Sequence, residues 1–160
     1  PGRGVVTLAA ALVVFSFFQL VMGAQLRHVT GNTSPAMFTG FVHLHLTLAV
    51  VVLSLAIALA GCTLWSRRLS PFVRWPSGIL LLLVSVQIGL GIGTWIVNYA
   101  LPWQELNALL AAYTIEEKGY MESMIVTAHQ ATGSLILSMA TVAALRTSRS
   151  RRAAVGANSR

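Results

Sequence analysis

Phe41-Val-His-Leu-His-Leu-Thr-Leu-Ala49 opens an apolar run that continues to Trp65. From Ala49 to Gly61 the run has no charge and a single hydroxyl, Ser54, so a helix here has no water-facing stripe. Three more runs resemble it: approximately Val5–Leu26, Gly78–Val97 and Ser123–Leu145. Each is long enough to cross a hydrocarbon core, which takes about 20 residues as helix. In lipid every backbone polar group must be paired internally, and helices do this. The expected fold is an all-α membrane protein, a four-transmembrane-helix bundle over residues 1–145. Residues 146–160 read as a basic cytoplasmic tail without regular structure.

Composition agrees. Apolar residues make up 56% and charged residues 9%, against roughly 25% charged in a soluble domain. The net charge of +7 invites a nucleic-acid reading, but its distribution argues against one. Arg3, Arg67, Arg68, Arg74, Arg146, Arg149, Arg151, Arg152 and Arg160 fall at the N-terminus, in the second-to-third connection or in the tail. Arg27, Lys118 and all the acids, Glu105, Glu116, Glu117 and Glu122, fall on the other side. This is the positive-inside pattern of a multi-pass membrane protein with both termini cytoplasmic, and a bacterial inner membrane is the expected location. Trp65 and Trp75 near one interface, and Trp95, Tyr99 and Trp103 near the other, suit aromatic belts.

The first run is too long for a signal peptide's apolar core and lacks a small-x-small cleavage site. The chain starts at Pro1 rather than Met, which reads as a fragment of a longer protein. Cys62, the single cysteine, reads as a small core residue. Pro102–Lys118 has apolar residues at mixed three- and four-residue spacings, as in a helix lying on the membrane surface.

Histidines stand near the start of two runs. His45 is followed four residues later by Ala49. In Ala128-His-Gln-Ala-Thr-Gly133, His129 is followed four residues later by Gly133. Residues four apart share a helix face, so a flat macrocycle held by each imidazole finds clearance beside it. The histidines lie about 4 and 6 residues past the starts of their runs, a depth difference of about 3 Å. Both helices start on the same side, which fits one haem held between two histidines, with His45 and His129 as the metal ligands. His43, two residues from His45, points about 200° away and cannot share that iron. His45 is favoured because His43 has the bulkier Thr47 one turn on. A zinc site wants three or four protein ligands, and the chain has no Asp. A serine hydrolase lacks its triad acid for the same reason.

Gln19 and Gln25 are costly in lipid and are expected to face the interior. Arg27 and His28 follow at the outer end, Arg27 either snorkelling to headgroups or pairing with a carboxylate such as a haem propionate. Gln87-Ile-Gly-Leu-Gly91 repeats the pattern of Gln19-Leu-Val-Met-Gly23, suggesting two helix pairs of common design. Gly89-x-x-x-Gly93 reads as close helix packing rather than a phosphate loop, since no strand precedes it.

Gly23-Ala-Gln-Leu-Arg-His-Val-Thr-Gly31, the histidine early in the second helix, Val86-Gln-Ile-Gly-Leu-Gly91 and Ala128-His-Gln-Ala-Thr-Gly133 together resemble haem A synthase. The resemblance covers nearly all four helices, through short motifs that agree in order and sidedness. It implies half of an eight-helix protein, in which each four-helix half places two histidines around a haem on the outer side. One half handles the substrate, haem O, and the other holds haem B. The enzyme is an oxidoreductase of cytochrome oxidase assembly that turns a methyl group of haem O into the formyl of haem A. The substrate half carries a glutamate three residues before the histidine of its second helix. Here Val42 precedes His45 by three, and Gly40 precedes His43 by three. The family's frequent outer-loop cysteine pair is missing too. The chain therefore resembles the C-terminal, cofactor half, with cofactor-binding residues His45, His129, Ala49, Gly133, Arg27, His28, Gln19, Gln87 and His43, and no assignable catalytic residue. The implied partners are membrane lipid, an N-terminal four-helix half, haem O synthase, cytochrome oxidase and a redox donor.

Two other classes share these features. One is an electron-transferring cytochrome b-type subunit or haem-bearing membrane anchor. The other is a non-haem transporter fragment whose glutamines and histidines line a polar path. An upstream half with a glutamate before a histidine discriminates the first, and a low-spin haem spectrum the second.

Overall fold

The computed structural model describes residues 1–29, 33–66, 69–99 and 119–158, and its described residues form four α-helices with no strand. These are α1 (Arg3–Arg27), α2 (Pro35–Leu64), α3 (Pro71–Tyr99) and α4 (Tyr120–Asn158). The surface helix expected over Pro102–Lys118 lies outside the described residues, as do Trp103, Arg67, Arg68 and Arg160. Each helix packs on its sequence neighbour, and α4 closes the ring against α1. This is an up-and-down membrane bundle in which α2 and α4 occupy one diagonal, α1 and α3 the other.

α1, α2 and residues Pro71–Val97 of α3 are long and apolar enough to cross a membrane. Large apolar side chains face outward along them, including Phe17, Val50, Leu82 and Ile92, each more than half exposed. Water would penalise such a surface and lipid does not. α4 is more polar than the expectation of four equal runs allowed, carrying His129, Gln130, Thr132, Ser134, Ser138 and Thr141. Its hydroxyls largely satisfy themselves. Ser134, Ser138 and Thr141 donate to the carbonyl four residues back at 3.2, 3.0 and 2.9 Å, which offsets their desolvation.

Every helix begins earlier than its apolar run, and all but α2 end later. Ser34 caps α2 by accepting from the Met37 N–H at 3.2 Å, with Pro35 at the first helical position. α3 starts at Pro71 and takes in Pro76, which the sequence placed in the connection. Pro76 lacks the N–H that would bond the carbonyl four residues earlier, that of Phe72. Arg146 of α4 supplies a donor instead: its Nη1 reaches Phe72 O at 3.1 Å, and its guanidinium lies 4.2 Å from the Phe72 ring centre. Arg74 Nη2 likewise donates to Leu64 O, a free carbonyl at the end of α2, at 2.9 Å. Contrary to the unstructured tail expected from residue 146 onward, α4 continues as helix to Asn158.

The core is built on a repeat. Along α2 the interior seam is His45, Ala49, Val52, Ala56, Leu59 and Thr63; along α4 it is His129, Gly133, Ile136, Ala140, Ala143 and Thr147. Steps of four and three alternate identically in both, the spacing of an apolar bundle seam. Matching positions are 84 residues apart throughout. On the other diagonal, Ala9, Leu12, Ser16, Gln19 and Gly23 of α1 match Ser77, Leu80, Val84, Gln87 and Gly91 of α3, each 68 residues later. Even the terminal hydroxyls agree: Thr63 donates to Leu59 O and Thr147 to Ala143 O, both at 2.8 Å. The apolar layers fill the half of the bundle nearer the termini. The histidine layer tops them.

Candidate functional site: a paired histidine layer

Two like half-sites meet in this layer. Gln19 Nε2 donates to His45 Nε2 at 3.3 Å between α1 and α2, and Gln87 Nε2 to His129 Nε2 at 3.5 Å between α3 and α4. His45 lies ten residues into α2 and His129 nine into α4, so their depths differ by only about 1.5 Å. Their ring centres are 6.4 Å apart and their planes inclined by 67°.

Glycines let the rings in. A Cβ on Gly23 would stand 3.4 Å from His45 Cε1, and one on Gly91 3.2 Å from His129 Cε1. These two glycines lie one turn beyond the glutamine of the same helix. The four-residue spacing within each run assigns this clearance to Ala49 and Gly133 instead. Both are on the seam, one turn below the histidines, but a Cβ on Gly133 would meet Leu20 Cδ2 at 3.0 Å and Gln87 Nε2 at 3.2 Å. Gly133 thus makes room for the glutamine rather than for its own histidine. The signal for Gly23 and Gly91 was present in the repeated Gln-x-x-x-Gly pattern.

The remaining expected residues divide. His43 is exposed on the face away from the layer, as the 200° separation requires. Gln25 is exposed as well: six residues on from Gln19 is about 240° around the helix, so the two cannot share the interior. His28 is the exposed C-cap of α1, its N–H donating to Ala24 O at 3.1 Å. Arg27 is exposed and its Nη1 donates to Gln130 Oε1, tying α1 to α4 beside His129. Gly89 has open space where a Cβ would go, so of the suspected packing pair only Gly93, where a Cβ would stand 3.3 Å from Ile125 Cγ2, packs within the chain. Cys62 is exposed, not a core residue.

The layer leaves polar atoms unused. Gln19 Oε1, His45 Nδ1, Gln87 Oε1 and His129 Nδ1 are buried without a hydrogen-bond partner. Such a cluster is costly in lipid. Among the described residues no three His, Cys, Asp or Glu side chains come together, so the layer offers a metal two imidazoles and no third ligand of those four types. An imidazole nitrogen approaches a metal at about 2.0–2.1 Å, and with roughly 1.1 Å from nitrogen to ring centre, two imidazoles opposed across one metal have centres about 6.3 Å apart. The observed 6.4 Å suits that arrangement. Each Nε2 lone pair now accepts from a glutamine amide, which must yield for the ring to bind a metal.

No protein-family model, curated protein or solved structure matches this chain. Fold and site define its class: a four-helix membrane bundle with an internal two-fold repeat and a layer of paired histidines and glutamines.

Proposed function

We propose that the bundle holds a haem B between His45 and His129 and is the cofactor half of a haem A synthase-type oxidoreductase. The observation that carries this reading is the separation of two symmetry-related imidazoles, 6.4 Å, on opposite corners of the bundle. His45 and His129 would hold the group, with α1 and α3 on either side of it. Those helices present Gln19 and Gln87, whose unpaired amide oxygens would serve polar atoms of the group, and Gly23 and Gly91, which give the two imidazoles their room. Arg27, at the outer end of α1, would neutralise a propionate on release from Gln130. When bound, the haem supplies one-electron chemistry. The residues of the chain hold it, exclude water and satisfy its polar edge. The resemblance of the motifs to those of haem A synthase suggests the substrate, haem O, and its product, haem A, both handled by an N-terminal half that would pair with this one.

Purification of the chain from haem-replete bacterial membranes tests the reading. The expected product has about one haem per chain and a low-spin spectrum, lost in His129→Ala. Joined to the N-terminal half, it should support conversion of haem O to haem A. A colourless wild-type chain refutes the haem.

One observation favours electron transfer alone, as in a cytochrome b-type subunit. Among the described residues the only acid is Glu122, near the start of α4, and none lies in the histidine layer. A haem-bearing chain that never supports haem A formation, even with the other half, selects that alternative.

A further inference from the structure

At the end of the bundle that carries both termini, α4 extends past Arg146 and forms a groove with the start of α1. Its volume is about 590 Å³, and it is lined by Val6 of α1 and by Ser148, Arg151, Arg152, Val155 and Gly156 of α4. That volume is ample for a small ligand, whose sites span about 300–1,000 Å³. The α4 residues follow the steps three, one, three, one, which place them on one helical stripe. The groove therefore depends on α4 staying helical beyond the bilayer, which it does to Asn158.

Among the described residues nothing compensates the charge in this groove. Arg74 and Arg146 at the same end are committed to the carbonyls of Leu64 and Phe72. Arg151 and Arg152 have no hydrogen-bond or ion-pair partner among the described residues, and the one acid among those residues, Glu122, stands near the start of α4, at the other end of the bundle. The depth is that of the headgroups. Trp65 and Trp75, 90% and 67% exposed, mark the interface here. Ser148 to Arg152 stand about 3–9 Å beyond Arg146 along the helix.

We infer that this groove binds the phosphodiester of one anionic phospholipid, with Arg151, Arg152 and the Ser148 hydroxyl as donors and Val6 and Val155 against its glycerol and acyl carbons. A lipid is favoured over a free anion because the lining is part apolar and the site is at the membrane surface, where basic pockets between helices take anionic headgroups. The inference rests on the membrane fold and is independent of any haem.

Native mass spectrometry of the full chain, released from nanodiscs of mixed phosphatidylglycerol and phosphatidylcholine, tests it. The wild type should retain one phosphatidylglycerol in preference to phosphatidylcholine. The double variant Arg151→Gln/Arg152→Gln should weaken retention by about thirtyfold. Arg149→Gln, off the stripe, should leave it unchanged, and Arg151→Lys/Arg152→Lys should largely preserve it, which separates lost charge from lost folding. Equal retention by the glutamine double variant, or equal retention of both lipids, overturns the proposal. So does displacement of the lipid by equimolar inorganic phosphate, which marks a free-anion site. Absence of bound lipid from the wild type overturns it too, as expected if another segment of the chain fills the groove.

Discussion

His45 and His129 face each other from diagonal corners of the bundle with ring centres 6.4 Å apart. His43, two residues from the first, is exposed on the outer face. The two neighbours should therefore behave unlike each other. His45→Ala and His129→Ala should each abolish the low-spin haem spectrum, while His43→Ala should keep it, at most with weaker assembly. Reduced-minus-oxidised difference spectra of the purified variants decide the matter, and loss of the signal in His43→Ala with retention in His45→Ala would reverse the ligand assignment.

The glycines allow a graded test. A methyl on Gly91 would come within 3.2 Å of His129 Cε1, closer than ordinary contact, whereas one on Gly23 would come within 3.4 Å of His45 Cε1. Gly91→Ala should impair haem occupancy more than Gly23→Ala, and leucine at either position should abolish it by holding the imidazole out of place. Gly40 and Gly89, with open space around them, should accept alanine with unchanged occupancy. Their thermal stability should hold or rise by up to about 1 kcal/mol, the helix-propensity gain. Titration of haem into the apo variants, with melting curves, gives both readouts.

What the sequence shows of this molecule follows the range of the interactions involved. Helices α1, α2 and α3 were legible because an apolar run is a local property that lipid enforces at every residue. The histidine pair and the glutamine repeat stood out because polar residues are rare in such runs. The seams did not. Val52 matches Ile136 and Leu59 matches Ala143 only by spacing, since packing asks for an apolar side chain of suitable volume and not for an identity. Clearance was assigned to Ala49 and Gly133 by following each histidine along its own helix. The ring instead reaches across to Gly23 or Gly91 on the neighbouring helix, a relationship no spacing within one run records. The start of α3 was missed for a similar reason: the donor that makes Pro76 tolerable is Arg146, 70 residues away.

Sidedness follows from the arginines. Ser70, exposed just before α3, lies at the end bearing both termini, with Arg74 and Arg146. By the positive-inside rule we predict that this end faces the cytoplasm. In a Cys62→Ala background, Ser70→Cys should resist a membrane-impermeant maleimide in intact cells and react once the membrane is opened. Ready labelling of intact cells would invert the topology.

The partnership of Pro76 and Arg146 makes an energetic prediction. Pro76 leaves Phe72 O without its helical donor, and Arg146 Nη1 fills the gap at 3.1 Å while the guanidinium stacks 4.2 Å from the Phe72 ring. Hydrogen bonds to charged groups contribute about 1.5–3 kcal/mol when buried, and partial exposure brings this one to about 1 kcal/mol. Arg146→Ala should cost about that much in the wild-type background. In Pro76→Ala, the restored N–H of residue 76 bonds Phe72 O itself, so Arg146→Ala should then cost only the ring contact, a few tenths of a kcal/mol at an exposed site. The two substitutions should thus be non-additive, with a coupling of about 0.5–1 kcal/mol. Unfolding the four proteins in mixed micelles closes the cycle. Strict additivity would mean that Arg146 merely rests against Phe72 and that the proline is accommodated in some other way.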